Sequence, residues 1–318
     1  MLTLYFYPKQ EIKKQEERGR TVYYYQLAGL TVGVDGDWPQ LAKSRLSAYE
    51  MLAKDGEEIA CDVLYHVHQD CEHIEMPEAA ESVEQFPHTW MKLTNGGYAL
   101  VDRVPQVSEK IINCLVANED WSEIHGYLCR EDVVDIDKNF RAFNVIGATL
   151  PYVLFRRGGM VLHSSCIMYD GQAVMFSAPS GTGKSTHTRL WTKHYPETVI
   201  INDDMPAIRM KESEAGKMIA TAYGTPWAGK TQTNENLSAP VRAVVFLRQA
   251  PENSLRKVSG AEAAFLMMQG IKKPLFNDMM PASLDAAARL MELVPAYELS
   301  CNISQEAVDI IKNELFHK

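Results

Sequence analysis

The chain has 318 residues, 46% of them hydrophobic and 23% charged, a composition typical of globular proteins and a length sufficient for two domains. A formal net charge of −9 argues against an extended basic surface for nucleic acid, and no apolar run is long enough to cross a membrane. Six cysteines are scattered without regular spacing. Met1–Tyr7 is strand-like and lacks the charged start and cleavage site of a signal peptide, so reduced thiols and a cytoplasmic location are expected.

In chain order, the basic stretch Lys9–Arg20 also holds Glu11, Glu16 and Glu17 and reads as a solvated segment. Strands are expected over Tyr23–Val34, ending in the turn Asp35-Gly36-Asp37, over Val63–His68, and over Trp90–Val101 around the hairpin signal Asn95-Gly96-Gly97. His66, His68, Cys71 and His73 invite a zinc reading. Zinc sites, however, take their ligands as short-spaced couples from two places, and a second couple is missing, so the cluster reads as a polar strand and turn. Helices are expected over Val107–Ala117 and Phe140–Phe155, with a charged, weakly patterned segment between them. Arg156-Arg157-Gly158-Gly159 marks a boundary, giving a strand-rich domain 1–157 and a second domain 158–318.

The second domain opens with strands Met160–Tyr169 and Gln172–Ser177 around Asp170-Gly171. Further strands are expected at Val199–Asn202, Ala243–Leu247 and Ala296–Asn302, with helices at Gly260–Gln269, Leu284–Leu293 and Gln305–Phe316. The methionines near Phe265–Gln269 and Met279-Met280 read as core packing. Strands alternating with helices imply a mixed α/β nucleotide-binding core.

Between the second strand and the helix that follows lies Ala178-Pro179-Ser180-Gly181-Thr182-Gly183-Lys184-Ser185, a phosphate-binding loop with Ala at the usual first glycine. Gly181 and Gly183 allow backbone conformations closed to other residues, so the N–H groups of Ser180–Gly183 can face one anion; Pro179 shapes the loop without a donor. The helix entered through Thr186 adds unpaired donors and a partial positive charge. In this motif Lys184 reaches the β- and γ-phosphates and the Ser185 hydroxyl ligates Mg²⁺. The expected ligands are ATP and Mg²⁺. His187 and Arg189 read as surface residues, with Arg189 within reach of a phosphate.

Asp203-Asp204 directly follows the strand Val199–Asn202. A phosphate loop needs a carboxylate from a second strand to hold Mg²⁺, and a kinase needs one to accept the proton of the attacking hydroxyl. Adjacent aspartates can divide these tasks. Together the two motifs resemble the HPr kinase/phosphorylase family and, more distantly, the phosphoenolpyruvate carboxykinase fold. The resemblance is strong over Gly159–Arg209 and loose beyond it. It implies that Asp204 is the general base and that Asp203 lies on the metal side with Ser185. That family carries a histidine on the strand before the loop, which falls on His163; by itself, a histidine on a buried strand is more often a satisfied core residue. The family is often oligomeric, which implies a homo-oligomer.

Downstream the sequence departs from that family. The arginine-containing loop and the glycine-rich signature that serve dephosphorylation are not found, and Tyr223-Gly224-Thr225-Pro226-Trp227-Ala228-Gly229-Lys230, Asn234 and Asn236 stand there instead. This stretch resembles HPr-kinase-like proteins found beside peptide-modification genes, and kinases acting on free serine. The implied reaction is γ-phosphoryl transfer from ATP to the serine of a peptide or small protein rather than to HPr. The alternatives are a small-molecule kinase, acting on free serine or carboxykinase-like, and a nucleotide-binding regulatory module without transfer. Physically, Gly224–Lys230 is either a rigid turn offering Trp227 and Lys230 to a ligand or a surface loop with Trp227 packed down and Lys230 solvated.

Overall fold

The computed structural model describes residues 22–38, 40–52, 59–85, 88–104, 108–130 and 138–316. The expected Met1–Tyr7 strand and the Lys9–Arg20 segment lie outside these. The chain is a mixed α/β protein whose described residues form two nine-stranded sheets, and its contacts divide it into two units, the main division falling between Ala148 and Thr149, with Leu27–Gly29 grouped with the second.

The first unit contains β1 (Val22–Leu27), β2 (Leu30–Asp35), α1 (Gln40–Leu46), β3 (Glu50–Met51), β4 (Val63–Cys71), β5 (Ala79–Gln85), β6 (His88–Leu93), β7 (Tyr98–Val104), β8 (Ser108–Ala117) and β9 (Glu123–Cys129). The strand order is β3-β1-β2-β4-β9-β8-β7-β6-β5, with β4 parallel to both β2 and β9. The Asn95-Gly96-Gly97 signal closes the β6–β7 hairpin: Gly96 has φ +88°, and a Cβ on Gly97 would stand 2.5 Å from the Ala117 carbonyl oxygen. Ile74, Met91, Leu93, Ala99, Val101, Ile111 and Cys114 form a core cluster on this sheet.

The helix expected over Val107–Ala117 is strand β8. Its residues from Ile111 to Leu115 are buried on both faces, so they carry no period-two alternation, and such a run, apolar except for Asn113, reads equally well as helix or strand. The weakly patterned segment behind it contains β9, which does alternate between exposed or half-buried and buried positions.

A long helix, α2 (Lys138–Phe155), leads out of the first unit. In the second unit follow β10 (Gly159–Val161), β11 (Ser164–Tyr169), β12 (Gln172–Ser177), α3 (Lys184–His194), β13 (Val199–Asn202), β14 (Ala207–Glu212), β15 (Met218–Tyr223), β16 (Ser238–Gln249), β17 (Ser254–Val258), α4 (Gly260–Gly270), α5 (Met280–Leu293), β18 (Ala296–Cys301) and α6 (Gln305–Phe316). The order is β10-β14-β15-β16-β12-β11-β13, with β18 beside β16 and β17 beside β18. Phe176 of β12, Val245 of β16 and Leu299 of β18 meet Trp191 of α3 and Val308 and Ile311 of α6 in one buried cluster. Truncating a fully buried aromatic such as Trp191 would cost about 3–5 kcal/mol.

The single strand expected over Met160–Tyr169 is two. β10 pairs with β14, whereas β11 pairs with β12 and β13, and one straight strand cannot serve both sets of partners. The jog falls at Leu162-His163, where His163 N donates to the Gly270 carbonyl at 2.8 Å. Among the described residues no helix is long and apolar enough to cross a membrane.

Candidate functional site

β12 ends at Ser177 and α3 begins at Lys184, so Ala178–Gly183 form the connecting loop. Gly181 (φ +81°) and Gly183 (φ +110°) lie in the left-handed region, and a Cβ on either would meet nothing within 4 Å. Glycine is needed here for the shape of the backbone, not for space. Thr182 N donates to the Pro179 carbonyl at 3.3 Å, and Gln249 Nε2 of β16 holds the Thr182 carbonyl at 3.1 Å. Pro179, Ser180, Gly181 and Thr186 are exposed, Thr182 and Ser185 are half-buried, and Lys184 is buried. A cleft of about 610 Å³ adjoins the loop, lined by Gly181–Gly183 together with Leu190, Leu247 and Ile303. Left-handed glycines, an exposed loop and an adjoining cleft of this size are features that a phosphate-binding loop requires.

Lys184 Nζ donates to the Ala178 carbonyl at 2.8 Å and to His163 Nε2 at 3.0 Å. A lysine ammonium can only donate, so Nε2 is the acceptor and the proton of the neutral ring sits on Nδ1. Nδ1 lies 3.0 Å from Asp204 Oδ1. The approach is close but off the hydrogen-bond line, leaving this buried nitrogen without a well-directed partner among the described residues. Lys184, His163 and Asp204 thus form a row of donor, relay and carboxylate at the foot of the loop.

The charges in the row shift one another. Burial pushes the Lys184 ammonium down from its ordinary range, Lys272 acts the same way, and Asp204 and Asp203 only partly restore it. Burial alone would raise the Asp204 carboxyl, but His163, Lys272 and Lys184 outweigh it and hold it below the usual carboxylate range. Asp204 is accordingly ionised at neutral pH.

Asp203 is only 7% exposed and accepts a 2.5 Å hydrogen bond from Ser165 Oγ of β11. Ser165 Oγ also lies 3.1 Å from Thr188 Oγ1, and Thr188 Oγ1 donates to the Ser185 carbonyl at 3.2 Å. A chain of hydroxyls therefore ties the buried carboxylate to the first turn of α3. An anionic oxygen coupled to the Ser185 turn is a donor set suited to a hard cation such as Mg²⁺.

Asn202 sets the direction of the aspartate pair. Its Oδ1 accepts from Asp204 N at 2.9 Å and Met205 N at 2.7 Å, while its Nδ2 donates to the Thr225 carbonyl at 2.8 Å. The Gly224–Lys230 turn is thereby fastened under the site. Gly224 tolerates no side chain, since a Cβ would stand 1.9 Å from the Glu235 carbonyl oxygen. Trp227 is packed down and Lys230 is exposed, the second of the two readings of this turn.

Of the two residues on α3 expected at the surface, Arg189 is exposed but His187 is buried. It faces Phe176 at a ring distance of 4.7 Å and accepts from Trp191 Nε1 at 3.3 Å, because the inner side of the helix lies on β12. Ser165, Thr188, Asn202, Gly229 and Lys272 also belong to the site. Ser165, Thr188 and Asn202 signal themselves only as polar residues at buried positions, whereas Gly229 and Lys272 are exposed, and only the pairing of strands and turns brings them to the site.

A family described as "ScmC: SynChlorMet cassette protein ScmC" matches residues 128–316. Among solved structures, the chain is similar to an Hpr(Ser) kinase/phosphatase from Coxiella burnetii at 11% sequence identity and a TM-score of 0.28, over 48% of this chain and 95% of that one. No curated protein matches the chain significantly.

Proposed function

The chain belongs to the SynChlorMet cassette protein ScmC family, whose match spans more than half its length, and from the site that lies within the matched residues we propose that it is an ATP-dependent phosphotransferase acting on the serine hydroxyl of a peptide or small protein. The observation that carries this reading is the Lys184–His163–Asp204 row at the foot of a phosphate loop.

In this reading the nucleoside occupies the cleft beside the loop, and the N–H groups of Ser180, Gly181 and Gly183, joined by that of Thr182 once it leaves the Pro179 carbonyl, hold the β- and γ-phosphates. Lys184 exchanges the Ala178 carbonyl and His163 for phosphate oxygens. Ser185 and Asp203 would hold Mg²⁺, which supplies neutralising charge on the phosphates. The serine oxygen attacks the γ-phosphorus in line as the bond to the ADP oxygen breaks, and the serine proton passes to Asp204. A carboxylate held below its usual range is a weak base. It takes the proton late, once the new P–O bond has made the hydroxyl acidic. His163 acts as a positioning residue, keeping Asp204 and Lys184 in register until nucleotide arrives.

The test is label transfer from γ-labelled ATP to serine peptides, small proteins or free serine. Asp204→Asn should lower transfer by about 10²–10⁴-fold while changing ATP affinity by no more than about twofold. Lys184→Ala should lower both. Near-normal transfer by Asp204→Asn would remove Asp204 as the base. Measurable ATP binding without transfer to any acceptor would make the chain a nucleotide-sensing module.

A further inference from the structure

The first unit holds a polar cluster that the phosphate-loop chemistry does not use. Asp35 of β2, His66 of β4 and His125 of β9 lie directly opposite one another across three neighbouring parallel strands. Glu123 and His68, two residues away along β9 and β4, share the same face. His66 Nδ1 lies 3.0 Å from Asp35 Oδ2, and His66 Nε2 lies 3.4 Å from Glu123 Oε1. His125 Nε2 reaches the same Glu123 oxygen at 3.1 Å, and His125 Nδ1 lies 3.4 Å from His68 Nε2.

These contacts have a direction. In the tautomer that carries its proton on Nδ1, facing Asp35, His66 presents the Nε2 lone pair to the Glu123 carboxylate, and an imidazole nitrogen and a carboxylate oxygen facing each other in this way can share a cation. One donor atom from each of His66, Glu123 and His125 can be chosen so that all lie within 4.8 Å of one another. The two nitrogen–oxygen separations, 3.4 and 3.1 Å, bracket the roughly 3.3 Å edge of a tetrahedron with bonds of about 2.0–2.1 Å. The outer nitrogens are already oriented, His66 by a carboxylate and His125 by a second imidazole, as ligating histidines require. The rings stack 4.7 Å apart and would turn about χ2 to converge.

We propose that His66, His125 and Glu123 bind a divalent transition-metal cation of the zinc type, with Asp35 and His68 orienting the two imidazoles. Two nitrogens and one oxygen favour such an ion over Mg²⁺, which separates this site from the phosphate loop. The Glu123 side chain is 47% exposed, so a fourth position opens to water or to an exchangeable anionic ligand.

The experiment is a Co²⁺ titration of the metal-free full chain in excess Mg²⁺, followed by competition with Zn²⁺. One equivalent should give the intense visible bands of tetrahedral Co²⁺ without a thiolate charge-transfer band, and Zn²⁺ should abolish them. His125→Gln should remove the spectrum. Asp35→Asn should weaken binding by about 10–100-fold. Glu123→Gln, a change at a solvent-facing side chain that leaves the strands intact, should weaken it by at least about tenfold. Absence of a tetrahedral spectrum from the wild-type chain, or a spectrum and affinity unchanged in both Glu123→Gln and His125→Gln, would overturn the proposal.

Discussion

Gly229 rests against Asp204. Its φ is +61°, and a Cβ there would stand 3.0 Å from Asp204 Cβ, 3.1 Å from Cγ and 3.3 Å from Oδ2. The carboxylate is therefore bounded by His163 and by a stretch of backbone that only glycine fits. The Gly224–Lys230 turn thus meets the site through this contact as well as through the Asn202–Thr225 hydrogen bond.

Gly229→Ala should act on transfer more than on nucleotide binding. The new methyl group must push Asp204 aside or strain a left-handed backbone, at a folding cost of about 1–2 kcal/mol. A displaced base should lower kcat by about 10–100-fold. ATP affinity should stay within about twofold, because the phosphate loop is not moved. Steady-state kinetics and ATP titration on the same preparation separate the two effects. A kcat near wild type would mean that this contact does not set the position of Asp204.

Ser165→Ala tests the other aspartate. Asp203 is nearly buried, and its 2.5 Å donor is lost in the variant, leaving a charged oxygen short of a partner. Such a loss costs about 1.5–3 kcal/mol in stability. Because Asp203 is assigned to the metal side, the Mg²⁺ concentration for half-maximal activity should also rise about tenfold. If stability falls while the Mg²⁺ dependence is unchanged, Asp203 serves only the fold.

Much of the second unit is legible in the sequence because local rules and tertiary context agree there. A glycine-bearing loop between an apolar strand and a helix start is a wholly local pattern, and Asp203-Asp204 stands out at the end of a short apolar strand. The break at His163 is not legible, since Met160–Tyr169 is apolar enough to read as one strand and only the separate partners of β10 and β11 require a jog. In the first unit, Ile111–Leu115 lost its periodicity through burial on both faces. The partners of His66 are not legible either, because Glu123 and His125 come from a strand far away in the chain, and only the pairing of β4 with β9 brings them to its side.

His187 should give the protein an acid-sensitive stability. Burial lowers its pKa to about 4, whereas an unfolded histidine titrates near 6.5. Between these values the unfolded chain binds the extra proton, so unfolding free energy rises with pH. The contribution is complete above about pH 6.5, is lost as pH falls toward 4, and totals on the order of 3 kcal/mol for a shift of this size. His187→Gln keeps an acceptor for Trp191 Nε1 but cannot titrate. Urea unfolding of both proteins between pH 7 and pH 4.5 should show the wild-type chain losing stability faster than the variant on acidification. Parallel losses would mean that the buried imidazole is protonated as easily in the folded chain as in the unfolded one.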